Sequence, residues 1–148
     1  MVKDGAKMRT LITFLLISLY STVALTADRF MEAPFVKVID GDTIQTMFTS
    51  LPYPLSNVKI RILGIDTPEK GYLAKCEQEK ILGLAATVKL AELMGTTPTM
   101  QLKNFKYDKY GGRVLAYVLV DGVDVGARMI DLELARPYDG GKKSDWCK

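Results

Sequence analysis

Apolar and polar positions along the chain follow two periods. Val58, Ile60 and Ile62 alternate with Lys59 and Arg61, the spacing of a strand with one face in a core. Shorter strand-like runs cover residues 35–39, 43–48, 99–105 and 114–120. Turn signals bound them at Asp40-Gly41-Asp42, Leu51-Pro52-Tyr53-Pro54, Asp121-Gly122, and residues 64–68 and 107–112. Between residues 72 and 94 the period changes. Ile81, Leu84, Ala85 and Val88 recur at helical spacing, Glu77 and Glu79 suit the positive N-terminal end, and Gly95 followed by Pro98 is a stop. A second amphipathic helix is predicted after Asp124 as N-cap, with Val125, Met129 and Leu132 inward. Strands this short, with one helix after the third and another at the end, predict a mainly β, α+β domain. The expected fold is a five-stranded OB-fold Greek-key barrel with an inserted helix and a C-terminal helix.

The 148 residues suit one domain with a hydrophobic core. Residues 1–27 carry a different pattern: Lys3, Lys7 and Arg9 precede an apolar run from Leu11 to Leu25, and small residues follow at Ala24, Thr26 and Ala27. A basic start, an apolar stretch and a small-residue exit describe a signal peptide cut after Ala24 or Ala27, with Met8 as an alternative start. An uncleaved membrane anchor is the competing reading, because the run approaches bilayer-spanning length. The division expected is thus a signal peptide over 1–27 and one folded domain over 28–148, exported, with no stable membrane association after cleavage. Removing 1–27 takes away three basic residues and one acid, lowering the net charge from +3 to +1. So weak a charge does not reveal a polyanion partner; any such site must come from local placement of Lys and Arg. In an exported chain the pair Cys76 and Cys147 reads as a disulfide.

The chain has no histidine. That excludes Ser-His and Cys-His catalysis and the usual zinc ligand, leaving carboxylates, arginines, lysines, tyrosines and a hard cation. Three clusters carry such groups: Val38-Ile39-Asp40-Gly41-Asp42-Thr43, the stretch from Arg61 to Glu69 through Asp66-Thr67-Pro68, and the stretch from Asp108 to Tyr117 through Lys109-Tyr110-Gly111-Gly112-Arg113. Each by itself is an ordinary turn or solvated face. Together they place two carboxylates, Asp42 and Asp66, at strand ends where oxygen ligands for a hard cation can converge. Glu69 follows closely, and Arg61 and Arg113 offer guanidinium forks that match phosphate oxygens. Such a set can stabilise a charged phosphoryl transition state and orient water.

On these three motifs the chain, from Phe35 to Tyr138, resembles the thermonuclease (staphylococcal nuclease-like) family. The resemblance implies an OB-fold, calcium-dependent nuclease that cleaves DNA and RNA and leaves 3′-phosphate ends. It implies Asp42, Asp66 and the Thr67 carbonyl as calcium ligands, with Asp40 nearby and bound through water. Arg61, Glu69 and Arg113 correspond to the catalytic set, Lys109 and Tyr110 to contacts with a terminal phosphate, and Tyr138 to a base-stacking aromatic. This sequence adds one glycine in Gly111-Gly112, shortens the loop over 70–75, and has Glu133 where the family ends a helix with glycine. The expected assembly is a monomer. The alternative function is a catalytically inactive OB-fold module that binds nucleic acid or protein; such a module should have lost a member of the acidic or arginine set, and none is missing.

Overall fold

The computed structural model describes residues 29–109 and 111–147. The segment 1–27, expected to be a signal peptide, and Tyr110 therefore lie outside the described residues. Strand β1 (Phe30–Asp40) starts five residues earlier than its apolar run suggests and serves two partners. Phe30 to Pro34 pair antiparallel with β5 (Thr99–Tyr107), and Phe35 to Asp40 pair antiparallel with β2 (Thr43–Met47). Pro34 sits at the change of partner, where its missing N–H costs no ladder bond, and its carbonyl accepts from Thr46 Oγ1 at 2.6 Å. Irregularities after Phe35 and Val38 bend β1 through the barrel corner.

β2 pairs antiparallel with β3 (Asn57–Ile62), and β5 with β6 (Arg113–Val120). A parallel pairing of β3 with β6, Arg61 opposite Leu115, closes the five strands into a barrel. The predicted OB-type α+β architecture is the one observed. Three two-residue strands add to it: β4 (Ile65–Asp66), β7 (Val123–Asp124) against β6, and β8 (Arg136–Pro137) against β4. Ile44, Ile60, Ile62, Met100, Leu102 and Val118 fill the barrel.

Helix α1 (Glu77–Met94) begins five residues later than its pattern predicts. Gly71 at φ +63 turns the chain, residues Gly71–Leu73 form a single 3-10 turn, and Cys76 caps the helix with Sγ accepting from Glu79 N. The stripe of Ile81, Leu84 and Val88 faces solvent, each at least half exposed. The face against the barrel is Gly83, Ala86, Leu90 and Met94. Small residues there let the helix axis come close: a Cβ on Gly83 would lie 2.3 Å from the Glu69 carbonyl oxygen. Helix α2 (Val125–Asp131) has the expected Asp124 cap and buries Val125 and Met129.

Candidate functional site

The turn between β1 and β2 is built on two contacts. Asp42 N donates to Asp40 Oδ1 at 3.1 Å, which fixes the turn. Gly41 is needed for closeness: a Cβ there would meet Thr67 Oγ1 at 2.7 Å and Ala86 at 2.9 Å. The turn is thereby pressed onto the β4 segment, and Thr67 donates to Asp42 Oδ2 through N at 3.2 Å and Oγ1 at 2.9 Å. Thr43 Oγ1 donates to Asp42 Oδ1 at 3.1 Å.

Arg61 lies on the β3 face opposite Ile60 and Ile62, as the alternation predicts, yet it is buried. Its guanidinium goes into the acidic cluster, where Nη1 pairs with Asp42 Oδ2 and Nη2 lies 3.7 Å from Asp66 Oδ1. Asp42, Asp66, Thr67 and Arg61 are thus brought together from three parts of the chain. Burial pushes the Asp42 carboxyl from 3.8 up to about 6, against the pull of Arg61 and with help from the neighbouring Asp40 charge.

Asp66 is 2% exposed. Its Oδ1 is a buried oxygen with no hydrogen bond among the described residues, met only by ion pairs. A buried carboxylate oxygen met only by cationic groups fits a hard cation, which Asp42, Asp66 and the Thr67 carbonyl would hold. Among the described residues no three acidic or cysteine side chains form a ready cage. A cation held by so few protein donors would keep positions open for water, which calcium's variable geometry tolerates.

Glu69 stands at the mouth, its side chain partly exposed. Its N–H donates to Glu79 Oε1 at 3.4 Å, while Lys75 N donates to Glu79 Oε2 at 2.7 Å. Glu79, expected only to favour the helix dipole, is buried and ties the 69–75 loop to α1. A pocket of about 170 Å³ opens here, lined by Asp66, Thr67, Glu69, Glu79, Lys143 and Trp146 among others. Sequence reasoning passed over Lys143 and Trp146. Lys143 Nζ lies 2.8 Å from Glu69 Oε1 and 3.0 Å from Asp66 Oδ1, and Trp146 Nε1 donates to Asp66 Oδ2 at 3.4 Å. The only signal was a lone tryptophan beside a half-cystine.

Arg113 is not drawn into the acidic cluster. It donates from Nε to Asp108 Oδ2 at 2.9 Å, and its Nη2 lies 2.6 Å from the same oxygen. Gly111 and Gly112 both take positive φ, +71 and +69, so the additional glycine is absorbed in the turn before it. Arg113 opposes Lys59 on β3, two residues from the Arg61–Leu115 pair, so both arginines project from the same side of the strand pair. Lys109 is exposed in that turn. Tyr138 donates from N to Gly64 O and from its hydroxyl to Gly141 O, both at 2.9 Å. Cys76 and Cys147 form the expected disulfide, with Cα atoms 5.9 Å apart.

Residues 59–145 match the profile of the family described as Staphylococcal nuclease homologue. The chain is also similar to a protein named Endonuclease YncB from Bacillus subtilis (strain 168), 36% identical over 103 residues. That match takes in 68% of this chain and 44% of the relative, so it spans less than half of the relative's length.

Proposed function

The chain belongs to the staphylococcal nuclease homologue family, and from that premise we propose that it is a calcium-dependent nuclease. It hydrolyses phosphodiester bonds of DNA and RNA with little sequence specificity and leaves 3′-phosphate ends. The observation that carries this reading is the buried meeting of Asp42, Asp66, Thr67 and Arg61, with Glu69 at the pocket mouth beside them.

Asp42, Asp66 and the Thr67 carbonyl would hold calcium, with Asp40 nearby to bind it through water. When bound, the ion supplies positive charge against the phosphate oxygens. Glu69 orients or deprotonates the attacking water, a role its partly exposed position favours. The water oxygen bonds to phosphorus and gives up its proton to Glu69 or solvent, the bond to the 5′ oxygen breaks, and that oxygen takes a proton from solvent water to leave as a hydroxyl. Arg61 and Arg113 meet the growing negative charge electrostatically, not as proton donors. Lys109 and Tyr110 contact the terminal phosphate, and Tyr138 stacks on a base.

Residues 1–27 act as a signal peptide and 28–148 as the working domain of an exported protein. The Cys76–Cys147 disulfide supports an oxidising compartment. No described helix is long and apolar enough to cross a membrane.

Purified protein given single- and double-stranded DNA and RNA should degrade all three with calcium, poorly with magnesium, and not in excess chelator. Its products should resist 3′ extension until treated with a phosphatase. Full activity in chelator would sink the metal assignment. No hydrolysis of any substrate would leave the barrel a binding module.

A further inference from the structure

Lys143 has no role in the mechanism above, yet it lines the acidic pocket. It comes from a segment 74 residues beyond Glu69 and pairs with both Glu69 Oε1 and Asp66 Oδ1. The neighbouring Trp146 donates to the other oxygen of Asp66. Both oxygens of one buried carboxylate are therefore engaged by this single segment.

The segment is anchored. Trp146 is buried under the Arg136 guanidinium at 3.8 Å, and Arg136 Nη1 donates to Asp145 O at 2.9 Å. β8 carries Arg136 opposite Asp66 itself. The next residue, Cys147, is bonded to Cys76, the cap of α1. On the other side, Tyr138 N is bound to Gly64 O. Held at both ends, the backbone keeps the Lys143 ammonium at high effective concentration beside the carboxylates.

An ammonium at Asp66 Oδ1 occupies the oxygen that a hard cation requires. We propose that Lys143 is a positioning residue of the metal site: a tethered counter-ion that holds Glu69 and competes with calcium for Asp66. The proposal rests on the calcium reading above. It predicts that this chain binds calcium more weakly than its carboxylates alone would allow. Calcium entry gives up the Lys143–Asp66 pair, while the pair with Glu69 keeps the lysine at the mouth.

The test is calorimetric titration of the chelator-stripped full chain with calcium chloride, with melting curves as the fold check. Lys143→Ala should bind calcium about tenfold more tightly, a modest value for removing one competing charge at ion-pair distance. Lys143→Arg, which keeps the charge, should stay within about threefold of the parent, a spread small beside that tenfold effect. Replacing both Cys76 and Cys147 by Ser loosens the tether and should tighten binding in the parent but not in the Lys143→Ala background. Equal or weaker calcium binding by Lys143→Ala, in a chain whose parent binds calcium, would overturn the role of Lys143 alone. Absence of calcium binding in both would overturn the calcium reading and this proposal with it.

Discussion

Asp42 is a carboxylate that its surroundings both want charged and penalise for being charged. Arg61 pairs with it and Thr67 donates to it, but burial and the neighbouring Asp40 prevail, and its pKa stands near 6 rather than 3.8. The metal-free fold therefore binds that proton more tightly than the unfolded chain does. Stability from this source is full below about pH 4 and is lost as pH rises through about 6. Melts in chelator should show Asp42→Asn gaining on the parent across that window, by on the order of 3 kcal/mol at neutral pH. A gap between the two that stays constant from pH 4 to 7 would contradict the shift. The other site residues divide by how local their signal is. Asp42 sits in a turn, Asp66 and Thr67 at a strand end, and Arg61 on an alternating strand, so their convergence was legible. Glu79 and Lys143 were not: each is an ordinary charge on a helix or after a glycine pair until tertiary contact gives it a partner.

At the scale of elements, both helices carry devices that position the site. α2 ends in a Schellman turn: Leu134 N donates to Met129 O and Glu133 N to Ile130 O. Glu133 takes the left-handed position at φ +59, so the local geometry survives without glycine. Glu133→Gly should accordingly stabilise the domain by up to about 1 kcal/mol, read as a higher urea midpoint with unchanged slope. Gly83 in α1 presents the opposite case. Alanine is the better helix former by about 1 kcal/mol, but its Cβ would press on the Glu69 carbonyl. Gly83→Ala should therefore lower the melting temperature and slow turnover by moving the Glu69 backbone; a more stable, fully active variant would refute the contact. The periodicity of α1 was legible, whereas its inner face was not. The strongest apolar stripe, Ile81, Leu84 and Val88, lies outward because the barrel side admits only small groups near the loop.

At the scale of the whole molecule, the five-stranded barrel and the placement of both helices followed from the pattern, and the particular pairings that close the barrel did not. The parallel β3–β6 pairing joins segments more than fifty residues apart, and β1 changes partner at Pro34; neither leaves a local trace. The disulfide was expected from two cysteines and an export signal, but not that it would fix the segment carrying Lys143 and Trp146 over the pocket. The fold thus gathers a turn, a strand end, a loop and a distant segment around Asp66. The claim on which this account depends is that the gathered cluster performs phosphodiester hydrolysis, with Glu69 acting on water. The most direct measurement is calcium-stimulated DNA hydrolysis by Glu69→Gln beside the parent, each checked by its melting curve. The account predicts a loss in turnover of at least about 100-fold with the fold retained. Near-normal turnover in a folded Glu69→Gln protein would contradict it.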